Sequence, residues 1–81
     1  MKLAVKVRLK KSILDPQGKA VHHALQSLGF SEIQDVRVGK LIELEIENGK
    51  DPTDTRRMVE EASRKLLSNP VIEDFEIEEL L

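Results

Sequence analysis

The stretch KLAVKVRLK, at residues 2–10, alternates without exception between two sets of side chains. The apolar set is Leu3, Val5, Val7 and Leu9, and the other set is Lys2, Ala4, Lys6, Arg8 and Lys10. A period of two residues is that of a β-strand with one buried face. The stretch therefore predicts a half-buried strand whose outer face is cationic.

Two helices are predicted downstream of this strand. The first runs from about Pro16 to Leu28, because Asp15 can cap its start and Gly29 suits the left-handed residue that follows a helix. The second begins at Asp51 or Thr53 and is stopped by Asn69-Pro70. Its predicted buried stripe consists of Met58, Val59, Ala62 and Leu66.

Three more segments alternate in the manner of strands, at residues 34–38, 42–47 and about 74–78. Residues Gly39 to Leu41 are predicted to join the first two as a hairpin with Leu41 at its exposed tip. This three-residue loop pairs Val38 with Ile42 and keeps the apolar side chains on one face. Asn48-Gly49-Lys50 is predicted to end the second of these strands.

The order strand, helix, strand, strand, helix, strand is that of the ferredoxin-like split βαβ fold. We therefore predict an α+β sandwich, βαββαβ, whose four-stranded antiparallel sheet has the order 4-1-3-2 and carries both helices on one face. So short a chain suits a single domain over residues 1–81. In this order the cationic first strand lies between two acidic strands, whose outward residues are Glu43, Glu45, Glu47, Glu76 and Glu78.

Charge is divided unevenly along the chain. Residues 1–40 carry eight basic and three acidic side chains, whereas residues 41–81 carry five basic and twelve acidic ones. Nucleic-acid binding is not expected, because acidic rows flank the basic strand and the outward positions lack the aromatic side chains of RNA recognition modules. No apolar stretch suits a membrane span or a signal peptide, so a cytoplasmic location is expected.

No set of residues has the pattern of an active site or a metal centre. The sequence has no cysteine, which excludes disulfides and thiolate nucleophiles. His22 and His23 would point about 100 degrees apart on a helix, so they cannot converge on one metal ion. We find no nucleophile motif and no phosphate-binding loop. The sequence predicts no catalytic residue, no metal ligand and no cofactor-binding residue on this chain.

The turn Asp15-Pro16-Gln17-Gly18 is the sharpest local feature. Its structural interpretation is helix initiation, in which the carboxylate accepts the N–H of Gln17 or Gly18. Its functional interpretation is contact with a partner, because a glycine at a helix start permits the close approach of another chain or an anion. The sequence leaves both interpretations open.

Three segments, taken together, resemble a known family. They are Leu14 to Val21 (LDPQGKAV), Gln34 to Lys40 (QDVRVGK) and Leu67 to Asp74 (LSNPVIED). Their order and separations are similar to those of the PurS subunits of phosphoribosylformylglycinamidine synthase, over nearly the whole chain. The resemblance implies a small non-catalytic subunit of an ATP- and glutamine-dependent carbon–nitrogen ligase of de novo purine (IMP) biosynthesis.

The resemblance also implies an oligomeric state and two partner subunits. The chain would be a homodimer or higher oligomer that bridges a PurQ-type glutaminase subunit and a PurL-type synthetase subunit, with a part in ammonia transfer. The complex uses ATP, magnesium and glutamine, none of which is expected on this chain.

Candidate partner contacts fall in the first two segments. They are Asp15, Gln17, Gly18 and Lys19, followed by Arg37, Gly39 and Lys40. Arg37 and Lys40 also have a structural interpretation, in which they balance nearby Glu43 and Glu45. The alternative function comes from another class, the ACT-type regulatory domains, which bind amino acids and have the same predicted order of strands and helices.

Overall fold

The computed structural model describes residues 1–47 and 51–80. Its elements are β1 at Lys2–Leu9, α1 at Pro16–Ser27, β2 at Lys40–Glu45, α2 at Pro52–Ala62 and β3 at Glu73–Leu80. One turn of π-helix, Ser63–Leu67, extends α2. The predicted strand end at residues 48–50 and the C-terminal residue 81 lie outside the described residues.

The strands form a three-stranded antiparallel sheet in which β1 lies between β2 and β3. Val5, at its centre, is opposite Ile42 on one side and Ile77 on the other. Leu3, Val5 and Val7 are all buried. The predicted strand and its acidic neighbours on both sides are therefore confirmed, although Ala4 of the outer set is also buried and Leu9 of the apolar set is only half-buried.

The predicted four-stranded ferredoxin-like sheet of order 4-1-3-2 is wrong. Residues 33–39 form neither strand nor helix, and no hairpin joins them to β2. The backbone N–H of Val38 donates to the Asp15 carboxylate at 2.8 Å, and Arg37 donates to the carbonyls of Lys10 and Ile13. This segment is held by the loop before α1 through side-chain bonds, instead of by a strand ladder.

The predicted loop from Gly39 to Leu41 is wrong for the same reason. Leu41 lies inside β2, opposite Lys6, although its side chain is 58% exposed. The β1–β2 ladder begins at Lys40, one residue before Leu41.

The hydrophobic core lies between the sheet and α2. Its buried members are Leu3, Val5, Val7, Val59 and Ile77. Only Val59 of the predicted helix stripe is buried, whereas Met58 is 47% and Leu66 83% exposed. The buried face of α2 and its π-helical extension instead follows Thr55, Val59 and Ser63, at intervals of four residues.

Helix α1 begins as predicted and ends one residue before the predicted Leu28, but it does not cover the sheet. Gly29, just after the helix, has a φ of 95°. The only buried residue of α1 is Gly18. No residue of α1 belongs to the core. The radius of gyration is 16.1 Å, against about 12 Å for a compact chain of this length. The prediction that both helices cover one face of the sheet is therefore wrong.

The projecting helix leaves apolar side chains uncovered. Val21 is 42% exposed, Leu28 is 73% exposed and Phe30, in the turn that follows, is 54% exposed. We call residues 16–30 the α1 arm. The helical spacing of its apolar residues predicts an internal packing face, but Val21, Leu28 and Phe30 are not covered by the described residues.

Candidate functional site

The start of the α1 arm brings several candidate residues together. Asp15 is only 4% exposed, and its carboxylate accepts two backbone N–H groups. One oxygen accepts from Gly18 at 2.9 Å, and the other accepts from Val38 at 2.8 Å. We call Asp15, Gly18 and Val38 the Asp15 clasp, because these bonds tie the helix to the segment before β2.

The clasp favours the ionised carboxylate. The N–H of Gly18, followed by that of Val38, holds the pKa of Asp15 below its ordinary value, and the positive charge of Arg37 acts in the same direction. Burial of the carboxyl opposes this shift. Asp15 therefore carries a full negative charge at neutral pH and serves as a fixed acceptor.

Gly18 has no room for a side chain. A Cβ at this position would lie 2.2 Å from the carbonyl oxygen of Val36 and 2.7 Å from Oδ2 of Asp15. The glycine thus permits a close approach between the helix start and residues 36–38 of the same chain. This finding supports the structural interpretation of the turn, whereas the contact of Gln17 and Lys19 with a partner stays a prediction. Both of these side chains are exposed.

Arg37 holds the loop before α1. Its Nη2 donates to the carbonyl of Lys10 at 2.9 Å and to that of Ile13 at 3.1 Å. Among residues 1–47 and 51–80, it forms no salt bridge with Glu43 or Glu45. Its contacts therefore give it a positioning role instead of the charge-balancing role.

Gly39 and Lys40 lie where β2 begins. A Cβ at Gly39 would lie 2.5 Å from the carbonyl oxygen of Val7, so glycine lets the chain approach β1 closely at this point. Lys40 is exposed and is opposite Val7, as the last pair of the β1–β2 ladder. Gly39 and Lys40 therefore meet β1, Arg37 meets the loop before α1, and Asp15 and Gly18 meet residues 36–38.

The described part of the chain contains no group of three or more His, Cys, Asp or Glu side chains that could hold a metal ion. Nε2 of His22 lies 2.7 Å from the carbonyl oxygen of Ile33, which links α1 to the turn after it. Within the same residues, no helix is both long and apolar enough to cross a membrane.

Sequence comparison finds one family over almost the whole chain. The model of the family described as PurS, phosphoribosylformylglycinamidine (FGAM) synthase, matches residues 2–80. The phosphoribosylformylglycinamidine synthase subunit PurS of Bacillus subtilis is 52% identical, over 99% of this chain and 95% of that protein. The subunit of the same name from Methanocaldococcus jannaschii is 41% identical, over 94% of this chain and 90% of that protein.

Solved structures agree with the sequence comparison. The B. subtilis PurS structure has a TM-score of 0.79 at 52% identity, and the match covers 96% of this chain and 98% of that one. A chain in the structure of PurLQS from Thermotoga maritima has a TM-score of 0.88 at 32% identity, and the match covers 98% of this chain and 95% of that one. The likeness therefore includes a chain solved within a PurLQS assembly.

Proposed function

The chain belongs to the PurS family of phosphoribosylformylglycinamidine synthase subunits, and from this premise we propose that it joins a PurL-type synthetase subunit to a PurQ-type glutaminase subunit. It is a subunit of an ATP- and glutamine-dependent carbon–nitrogen ligase of purine biosynthesis. The observation that carries the proposal is its likeness, at a TM-score of 0.88, to a chain of T. maritima PurLQS. On this assignment the ACT-type alternative is not favoured, and the order of strands and helices on which it was based differs from that of the described residues.

The surface of the molecule supports a role in assembly. A projecting helix exposes Val21 and Leu28, and the adjacent Phe30 is exposed as well. Exposed apolar side chains that are grouped on one surface mark interaction sites. The outer edge of β2 also offers unpaired backbone groups. We assign the α1 arm to contact with a second copy of the chain, so that the working unit is a homodimer or higher oligomer.

The chemistry of the complex belongs to the larger subunits in this proposal. The glutaminase releases ammonia from glutamine, and the synthetase uses ATP and magnesium to activate the substrate amide. This chain binds none of these ligands. It contributes by holding the glutaminase and synthetase active sites in the positions that ammonia transfer requires. A cytoplasmic location follows from this role in nucleotide synthesis.

The candidate contacts divide into two kinds. Gln17, Lys19 and Lys40 are exposed and are the side chains that we assign to direct contact with a partner. Asp15 and Gly18 are buried and act by fixing where the α1 arm points. Arg37 and Gly39 fix the path of the chain into β2.

Co-purification tests the bridging role. The tagged chain is expected to retain both the glutaminase and the synthetase subunit of its source organism through size-exclusion chromatography with light scattering. The two larger subunits are expected to separate when the chain is left out, because their association depends on it. An equally stable pair of larger subunits without the chain would contradict the proposal, and so would elution of the chain on its own.

A further inference from the structure

One open cavity is surrounded by cationic side chains. It lies where the β1–β2 ladder ends, has a volume of about 460 Å³ and is lined by residues that include Lys6, Arg8, Arg37, Lys40 and Leu41. None of the described residues that line it is acidic. We call this cavity the basic hollow.

The backbone explains why these cations converge. The ladder between β1 and β2 stops at the pair Val7–Lys40, whereas the ladder between β1 and β3 continues to Leu9. The last part of β1 therefore has no ladder partner on the β2 side among the described residues. At this point Gly39 packs closely against the carbonyl of Val7. Arg37 is held in place by its hydrogen bonds to the carbonyls of Lys10 and Ile13.

The positive charge in the hollow is only partly compensated. Lys6 forms a salt bridge with Glu78, and Nη2 of Arg8 lies 3.0 Å from a carboxylate oxygen of Glu76. Arg37 and Lys40 form no salt bridge with any described residue. Lys40 therefore has no acidic partner among the described residues, and Arg37, whose positive charge also acts on Asp15, lines the same cavity.

We propose that the basic hollow receives a carboxylate-bearing segment of a partner subunit of the synthase. This inference rests on the proposed bridging function and names the chemistry of one of its contacts. Lysine and arginine bind carboxylates through charge-assisted hydrogen bonds, and such pairs raise both the rate and the specificity of association.

The apolar side of the hollow selects a protein segment over a small anion. Leu41 is 58% exposed beside the cations, and a free phosphate would gain nothing from this contact. The cavity is also open, whereas small ligands bind in sites that enclose most of their surface. An Asp or Glu side chain next to an apolar one complements both features.

Charge reversal at Lys40 tests the inference. Lys40→Glu leaves the loop bonds of Arg37 in place, so it changes the charge of the hollow without removing a structural contact. We expect the dissociation constant of the chain for its larger partner subunits, measured by biolayer interferometry, to rise about tenfold or more. The loss should be greatest at low salt, because screening weakens the contact in the wild-type chain.

Arg57→Glu is the matched control. Arg57 is exposed on α2, outside the hollow, and its reversal changes the net charge by the same amount. Its dissociation constant should stay within about twofold of the wild-type value. Circular dichroism and thermal unfolding of both variants should match those of the wild-type chain.

Each remaining outcome contradicts the inference. Equal binding by Lys40→Glu and wild type, or an equal loss in Arg57→Glu, would show that the hollow is not a contact. A changed oligomeric state of isolated Lys40→Glu would assign the hollow to a second copy. Lys40-dependent binding of inorganic phosphate to the isolated chain would assign it to a free anion. If the wild-type chain binds neither subunit, the bridging function fails and the inference fails with it.

Discussion

Replacing Gly18 with alanine is expected to destabilise the isolated chain by about 1–3 kcal/mol, because the added Cβ overpacks a buried backbone contact. The new carbon would lie 2.2 Å from the carbonyl oxygen of Val36, and neither backbone can retreat without breaking the clasp. The higher helix propensity of alanine stabilises the helix by up to about 1 kcal/mol. The measured loss of stability is therefore the overpacking cost minus this gain. Urea unfolding followed by circular dichroism measures it.

Gln17→Ala provides the control within the same turn. Gln17 is exposed, and its replacement should change stability by no more than about 0.5 kcal/mol. If Gly18→Ala kept wild-type stability and lost only partner binding, Gly18 would be a contact residue and our structural interpretation of the turn would be wrong.

Asp15→Ala is expected to have the second largest effect. It removes the acceptor of two backbone N–H groups, on Gly18 and Val38, that are 20 residues apart in the chain. Loss of a helix cap and of a tertiary hydrogen bond together should lower the melting temperature by roughly 5 °C or more. Hydrogen exchange gives the decisive readout, because both amides should lose protection, whereas the amides at the centre of β1 should lose much less.

The same carboxylate makes stability depend on acid pH. Because the pKa of Asp15 is lower in the folded chain than in the unfolded chain, its contribution is complete above the ordinary Asp pKa of about 3.9 and is lost as pH falls through the folded value. The stability gap between wild type and Asp15→Asn should therefore narrow from about pH 5 to about pH 2. A gap that stays constant over this range would show that the charge on Asp15 contributes nothing.

Local signals in the sequence predicted several elements correctly. The alternation of residues 2–10 predicted β1 and its buried face, and Asp15 and Gly29 marked the two ends of α1. Each of these features depends on residues within one strand or one helical turn. The two-residue period, the helix-capping aspartate and the left-handed glycine are therefore sufficient to predict β1 and the ends of α1.

The errors concern contacts that such signals do not encode. Residues 34–38 alternate as a strand does, but the acceptor for the Val38 N–H is a carboxylate 23 positions earlier. An alternating segment bound by side chains has the same sequence pattern as a strand. The periodicity of α1 likewise predicts an apolar face in the interior, because helical spacing indicates an apolar face without indicating which chain, if any, packs against it.

Two of the three segments that carry the resemblance to PurS are brought together by the fold. The first and second of them meet through Asp15 and Val38 and through Gly18 and Val36. Neither segment alone predicts this junction. Their close packing gives a physical reason for finding both motifs in one chain, since each supplies what the other needs to hold the α1 arm in place.

Glutamine-driven turnover by the two larger subunits, measured with and without this chain, tests the bridging role most directly. With ATP and magnesium present, conversion of formylglycinamide ribonucleotide to its amidine should depend on the chain when glutamine is the nitrogen source. Conversion should not depend on the chain when an ammonium salt replaces glutamine, because free ammonia does not need the two sites to be joined. An equal glutamine-driven rate without the chain would contradict the account, and so would turnover by the chain alone.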